Sequence, residues 1–523
     1  MKTATIPAPL ADSPFRDIAG LIREHAQHQP SHDALIEGER RLDYRGLDAL
    51  MDRVAAALQR DGLQPGDAIG VCAAPSLEYA ALFLGALRAG VAVAPLAPGS
   101  APDAFARMLD DAGARLLFLD SAGLPTAGAA GAGRVSRIAL DGGSAGRRWA
   151  DWLAPQGAQP ARVEIRPEWA FNIIYSSGTT GEPKGIVQPH AMRWAHVRRG
   201  ARYGYGPGTV SLFATPLYSN TTLVVFFPTL AFGGTAVLCP KFDARGYLEL
   251  AQRHRATHTM LVPVQYQRLM ALPEFDTFDL DAFRFKFCTS APFSAALKAQ
   301  VLRRWPGGLV EFYGMTEGGG TCILEAHLHP DKLHTVGRPA EGHDIRLIDD
   351  AGRELPAGAA GEVVGRSPGM MTGYHRKPEA TRAAEWFSPE GLRFIRTGDI
   401  GRFDAQGFLT LLDRKKDMII SGGFNLYPSD LEAVLCAHPA VAEAAVVGVP
   451  SAAWGETPVA FVVLRPGSTV SREALLQAFN AQVGKTQRLA DLRLVDELPR
   501  SPIGKVLKRT LREAYVQPEG GAR

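Results

Sequence analysis

The sequence predicts an α/β protein: a large, multi-subdomain N-terminal domain of parallel α/β layers with a β unit, then a small α+β C-terminal domain. Three observations predict it. The chain has 523 residues, too many for one ordinary hydrophobic core and enough for roughly three domains or subdomains. Through the first two thirds, short apolar runs alternate with segments whose apolar residues recur at spacings of three and four. From about residue 341 the pattern changes to short strands punctuated by Gly, Pro and Asp turns.

Taken in order, "YRGLDALMDRVAAALQRDG" has helical spacing and "DAIGVCA" reads as a short buried strand. "SLEYAALFLGALRAG" with "VAVAPLAP", and then "DAFARMLDDAGARLLFLDS", repeat the pair, the alternation that builds a parallel sheet. "AGLPTAGAAGAG" has no periodicity and is expected to be a surface loop. The sheet pattern resumes at "EWAFNIIYSS". A second run, "ATPLYSNTTLVVFFPTLAFGGTAVLCP" then "RGYLELAQRHRATHTMLVP", predicts another α/β layer and hence two related lobes. "DIRLIDDAGRELPAGAAGEVVGRSPGMMTGY" reads as the antiparallel β unit. "LDRKKDMIISGGFNLYPSDLEAVLCAHPAVAEAAVVGVP" opens the compact C-terminal unit, with a boundary near Asp413 to Lys416, giving domains 1–412 and 413–523.

Apolar residues make up 46% of the chain and charged residues 21%, ordinary values that argue against a disordered or fibrous protein. The net charge of +3, with bases and acids interspersed, argues against a nucleic-acid surface and leaves a small anionic ligand open. Cys72, Cys239, Cys288, Cys322 and Cys436 are odd in number and scattered, and read as buried thiols; no pair or Cys/His cluster has zinc or iron–sulfur spacing. "MKTATIPAPLADSPF" lacks the apolar core of a signal peptide, so a cytoplasmic location is expected. The most apolar stretches are interrupted too soon for a transmembrane helix. The oligomeric state is open, a homodimer among the options.

The richest chemistry lies in "YSSGTTGEPKG", residues 175–185. Gly178, Gly181 and Gly185 permit a backbone nest, Ser176, Ser177, Thr179 and Thr180 add hydroxyls, and Lys184 adds a positive charge, a set suited to phosphate oxygens. Gly185 follows the lysine where an NTPase P-loop has Ser or Thr, so this is not that loop. A flexible hairpin turn remains the alternative at this point.

Four further motifs follow in order: "FYGMTEGGG", "RTGDIGRF", "LDRKKDMIISGGFNLYPSDLE" and "LPRSPIGKVLKR". Together with the loop they resemble the adenylate-forming superfamily of acyl-CoA synthetases, luciferases and peptide-synthetase adenylation domains, over roughly residues 30–515. The resemblance implies that ATP, coenzyme A and Mg2+ are used with a carboxylic acid. It assigns the loop from Ser176 to Lys184 to the β- and γ-phosphates, Thr316 to the α-phosphate and Glu317 to magnesium. Tyr313 would lie against the adenine, Gly314 would belong to the ATP site beside it, and Asp399, assisted by Arg414, would hold the ribose hydroxyls. Lys505 matches the catalytic lysine, which bridges the attacking carboxylate and the α-phosphate as negative charge develops there.

The resemblance further implies a mobile C-terminal domain that swings about Lys416 between adenylation and thioester formation. Gly422 and Gly423 would then line a channel for the pantetheine thiol, and Trp454 would stand beside CoA, with simple packing as its alternative. The acid would be bound by Tyr218, Ser219, Asn220 and Thr221, by Ser290, Ala291 and Pro292, and by Gly318, Gly319 and Gly320. Ser219 stands where many relatives have a histidine, and Asn220 where some aryl-acid enzymes recognise a ring hydroxyl. The glycines are expected to leave space near the pocket floor. A compact cyclic, aromatic or medium-chain acid is therefore expected. Three functions compete: an acid–CoA ligase, an adenylating enzyme loading a separate carrier protein, and a nucleotide sensor without catalysis. Glu317 and Lys505 count against the last, since binding alone needs neither.

Overall fold

The computed structural model describes residues 10–131, 135–177, 183–421, 424–451, 454–501 and 505–516. The chain divides into two compact units, Met1–Ile345 with Gly365–Ile395, and Arg346–Val364 with Arg396–Arg523.

The first unit carries the two predicted lobes. In one sheet, strands Ala170–Ser177, Ala92–Pro95, Ala68–Cys72, Leu116–Leu119, Ser136–Ala139 and Arg147–Arg148 run parallel. In the other, Asp33–Glu37, Thr235–Leu238, Val210–Phe213, His258–Leu261, Phe285–Cys288 and Gly308–Gly314 do so. Several of these strands are buried at every position, as in "AIGVC" and "TAVL", which is why they read as continuous apolar runs rather than alternating ones.

One hydrophobic core joins the sheets. Val71, Val93 and Phe171 from the first meet Ala236, Leu238 and Met260 from the second through the helices between them. Phe83 of helix Leu77–Arg88 and Phe227 of helix Asn220–Ala231 pack on Phe171 and on each other, with ring centroids 4.8 to 5.8 Å apart. The helix at 44–60 starts where Asp43 caps the backbone N–H of Gly46 at 2.7 Å. It buries Tyr44, Leu47, Met51, Val54 and Leu58 along one stripe.

Three expectations are corrected. "AGLPTAGAAGAG" is not all loop: Leu124–Ala129 form a short helix, because Thr126 and Ala127 are buried. Tyr374, read with the antiparallel β unit, instead pairs with Ile186 at the edge of the parallel-cored sheet. Cys436 is exposed, whereas the other four cysteines are buried. Among the described residues no helix is long and apolar enough to cross a membrane.

In the second unit, Val441–Ser451, Gly455–Leu464, Ile419–Ser421, Phe424–Leu426 and Asp491–Leu494 form a sheet, covered by helices that include Pro428–Cys436 and Arg472–Gln482. The long hairpin of the first two strands is fully paired from Glu443 to Ser451. This is the α+β unit the sequence predicts.

Candidate active site

The loop that opened the phosphate question joins two antiparallel strands, Ala170–Ser177 and Pro183–Pro189, with Ser176 opposite Lys184 and Ser177 opposite Pro183. The strands on either side of it are thus paired antiparallel, which is compatible with a phosphate cradle between them. Gly178, Thr179, Thr180 and Gly181 lie outside the described residues, as do Gly422 and Gly423. Lys184 is held by a neighbour the sequence did not suggest: its Nζ lies 5.2 Å from the centroid of the Tyr374 ring. The Tyr374 hydroxyl donates to Glu317 Oε1 at 2.9 Å. Burial, then the adjacent Glu317 charge, raises the Tyr374 phenol, so it stays a donor. Tyr374 therefore ties Lys184 to Glu317, which lie 133 positions apart in sequence. The Glu317 carbonyl also accepts from the N–H of Met371 at 2.8 Å.

Behind Thr316 lies a buried amide network. Gln188 Nε2 donates to the Thr316 carbonyl at 2.6 Å and to Asn220 Oδ1 at 3.4 Å. Gln188 Oε1 accepts from Asn172 Nδ2 at 3.0 Å and from Arg193 Nη2. Arg193 also gives Nε and Nη2 to Asn172 Oδ1, at 3.2 and 3.0 Å. The guanidinium is 1% exposed and sits over Phe171 and Phe227. With no carboxylate bonded to it among the described residues, burial pushes Arg193 down to about 9. Gln188 and Arg193 were invisible in the sequence, since neither lies in a motif and their partners come from three elements.

The expected acid wall comes partly together. Ser219 caps helix Asn220–Ala231, its hydroxyl accepting from the N–H of Thr221 at 3.3 Å. Thr221 Oγ1 and Ser290 Oγ lie 2.5 Å apart, and Ser290 has φ +83°, a conformation rare outside glycine that is held by this bond and the turn before Ala291 and Pro292. Asn220 is not waiting for a ligand with its oxygen bare, because Gln188 occupies it. Burial raises the Tyr218 phenol.

The glycines correct another expectation. They do not leave a gap where side chains are missing. A Cβ on Gly318 would stand 2.1 Å from the Gly369 carbonyl oxygen and 2.7 Å from Met192 Cε, and one on Gly319 2.5 Å from Ile395 Cβ. Gly318 and Gly320 also have φ of +75° and +108°. They are glycines so that backbone can approach backbone, and so that this turn can form.

In the second unit, strands Arg393–Phe403 and Leu409–Arg414 set Asp399 directly opposite Arg414. Arg414 Nε donates to Asp399 Oδ1 at 2.8 Å, and Asp399 is largely buried. Lys505 is held by its backbone, its N–H donating to Ser501 Oγ at 3.2 Å and its carbonyl accepting from the N–H of Ser501 at 2.8 Å. Burial, then the charges of Arg414 and Lys416, lower its ammonium to about 8, against the opposing pull of Asp399 and Asp417. Lys416 is exposed in a turn closed by the Asp417 and Met418 N–H groups on the Arg414 carbonyl. Its neighbour Lys415 is anchored to Asp350 and Glu362 at 2.8 and 3.1 Å. Trp454 is 41% exposed between the two long strands, so it is not a core packing residue.

Among the described residues no cluster of three or more His, Cys, Asp or Glu could enclose a metal ion. A single carboxylate such as Glu317 nevertheless fits magnesium, which keeps most of its waters and is commonly held by one or two carboxylates plus substrate phosphates.

Comparison with known proteins agrees with this arrangement. Residues 22–375 match the family model described as AMP-binding enzyme, and residues 430–505 match that of the AMP-binding enzyme C-terminal domain. A fatty acid–[acyl-carrier-protein] ligase, ScoC, of Streptomyces coeruleorubidus is 32% identical over 94% of this chain and 95% of its own length. An indoleacetate–CoA ligase of Aromatoleum aromaticum is 32% identical over 96% and 98%. The crystal structure of ATP-bound MatB from Rhodopseudomonas palustris superposes with a TM-score of 0.86 at 30% identity, covering 96% of this chain and 99% of that one. A large α/β unit carrying the first two motifs, a smaller unit carrying the other three with Lys505, and matches along nearly the whole length have one reading: the chain belongs to the adenylate-forming superfamily, among the AMP-binding acid–CoA ligases and their relatives.

Proposed function

We propose that this enzyme is an ATP-dependent carboxylic acid–CoA ligase acting through an acyl-adenylate on a compact cyclic, aromatic or medium-chain acid. In the first half-reaction a carboxylate oxygen attacks the α-phosphorus of ATP and pyrophosphate departs. Lys184, Thr179 and Thr180 hold the pyrophosphate side and Thr316 the α-phosphate, while Tyr313 lies against the adenine. Asp399 takes the ribose diol, oriented by Arg414. Lys505 bridges carboxylate and α-phosphate and offsets the charge that develops between them. Glu317, steadied by Tyr374, would hold magnesium, which supplies charge neutralisation of the triphosphate when bound. In the second half-reaction the domain 413–523 turns about Lys416, the CoA sulfur attacks the acyl carbon, its proton passes to solvent and AMP leaves. Gly422, Gly423 and Trp454 receive CoA.

The observation that carries this reading is the grouping of Lys505 with the Asp399–Arg414 pair in one unit, a cation beside the groups assigned to ribose. The exposed ring of Trp454 supports CoA as acceptor. For the acid, the similarity to a relative named for indoleacetate supports a compact substrate. ATP–pyrophosphate exchange over a panel of acids, followed by thioester formation with CoA, tests it. Activation of long fatty acids alone would rule out the compact acid. A second reading, loading of a separate carrier protein, is favoured by the similarity to the acyl-carrier-protein ligase. It predicts transfer to a phosphopantetheinyl protein and none to free CoA.

A further inference from the structure

Helix His190–Gly200 turns Met192, Ala195, His196 and Arg199 to one side, at spacings of three, four and seven. That side faces the glycine turn of the acid wall. A Cβ on Gly318 would meet Met192 Cε at 2.7 Å, and one on Gly369 would meet Ala195 Cβ at 3.3 Å. Two turns beyond Met192, the Arg199 guanidinium lies 4.9 Å over the ring of Phe312, the residue before Tyr313. His343 stands near, its Nδ1 accepting from the N–H of Thr321, the residue after Gly320. Arg199 is thus placed along the wall that begins at the adenylation motif.

Two other arginines of this stretch, one on either side, have fixed partners. Arg193 is held by Asn172 and Gln188, and Arg202 is paired with Glu325 at 3.0 Å. Arg199 has neither kind: among the described residues its guanidinium has only the Phe312 ring. The other groups whose charge bears on it are Tyr203 and Tyr205, neither of them a carboxylate, and burial lowers it from its ordinary value. His196 and His343 are both pushed towards the neutral form by burial and by Arg199 itself. Arg199 is partly exposed, so its guanidinium is reachable, and a planar guanidinium with no protein anion is suited to a bidentate oxygen partner.

We propose that Arg199 is the specificity residue of the acid pocket, and that the preferred acid carries a second carboxylate at its far end, which Arg199 pairs. This rests on the ligase reading and narrows it to dicarboxylic acids of compact skeleton. The second carboxylate takes no part in the chemistry, which consumes only the one that attacks ATP.

The test is ATP–pyrophosphate exchange by the full-length enzyme with acids matched in skeleton: hexanoate against hexanedioate, and 4-methylbenzoate against benzene-1,4-dicarboxylate. Removing one partner of a desolvated charge pair costs about 2 kcal/mol or more, so the diacid should lead in kcat/KM by about 30-fold or more. Arg199→Met should lower that ratio by a similar factor, and Arg199→Lys, which keeps the charge without the planar fork, should lower it in part. Equal or better use of the monoacids by the unmodified enzyme overturns the proposal without needing any variant to fold. An unchanged ratio in a folded Arg199→Met enzyme overturns it too. Exchange with monoacids only leaves the ligase reading standing, whereas exchange with no acid at all removes both.

Discussion

Replacing Gln188 by Leu should uncouple the amide network from Thr316, and the structure gives the size of the effect. Gln188 is fully buried, donates to the Thr316 carbonyl at 2.6 Å, and accepts from the Arg193 guanidinium. The substitution keeps the volume, strands the carbonyl and removes one of the side chains that accept from a buried cation. An unsatisfied buried group costs about 1–3 kcal/mol, and more when charged. About 3 kcal/mol is expected, a large share of the roughly 5–15 kcal/mol that holds a protein folded. Arg193→Met alone should cost about 2 kcal/mol, because it leaves Asn172 Oδ1 without its donor while Gln188 Oε1 keeps Asn172 Nδ2, and it deletes the charge.

In the double variant the cost of the unpaired cation is gone, so the two effects should fall short of their sum by about 1.5 kcal/mol. Urea unfolding, followed by the fluorescence of the neighbouring buried Trp194, measures all four proteins. ATP–pyrophosphate exchange should fall in Gln188→Leu, since the Thr316 backbone loses its tether. Additivity within about 0.5 kcal/mol, or full exchange activity in Gln188→Leu, would refute the coupling of Arg193 through Gln188 to the adenylation motif.

Four more expectations concern the two units separately. Lys505 sits at about 8 and in its proposed role acts as an ammonium between two anions, so kcat/KM for ATP–pyrophosphate exchange should be full below that pH and decline as pH rises through it. Lys505→Ala should suppress exchange while sparing thioester formation from supplied acyl-adenylate, and equal loss of both would defeat the assigned separation of roles. Tyr374→Phe keeps a ring for Lys184 but removes the donor to Glu317; loss of a hydrogen bond to a charged group, about 1.5 kcal/mol, predicts roughly tenfold lower exchange, with a raised magnesium requirement as the distinguishing readout. Gly318→Ala forces a side chain into a positive φ and against the Gly369 carbonyl, so differential scanning calorimetry should register a loss of more than about 2 kcal/mol.

Much of the chain was legible because its signals are local. The helices at 44–60 and 77–88 and the strands after them follow from apolar spacing, and the motifs from "YSSGTTGEPKG" to "LPRSPIGKVLKR" lie in contiguous stretches. The short helix at 124–129 was missed because six residues of Ala, Gly, Thr, Pro and Leu carry no periodicity, and only burial of Thr126 and Ala127 fixes it. The glycines of "TEGGG" were misjudged for a similar reason. A sequence cannot say whether a missing side chain leaves room or is excluded by a neighbour such as Gly369, 51 positions away.

By itself, then, the sequence determined the two α/β lobes, the α+β unit and the identity of Lys184, Thr316, Glu317, Asp399, Arg414 and Lys505 as the residues to watch. Each rests on periodicity or on a motif within a few neighbouring positions. Only the tertiary structure decided that Tyr374 joins Lys184 to Glu317, that Gln188 carries the Arg193 network to Thr316, and that Arg199 has no anion beside it among the described residues. These depend on which distant segments meet and on what burial does to a charge once they have met, and neither is encoded in any one stretch of the chain.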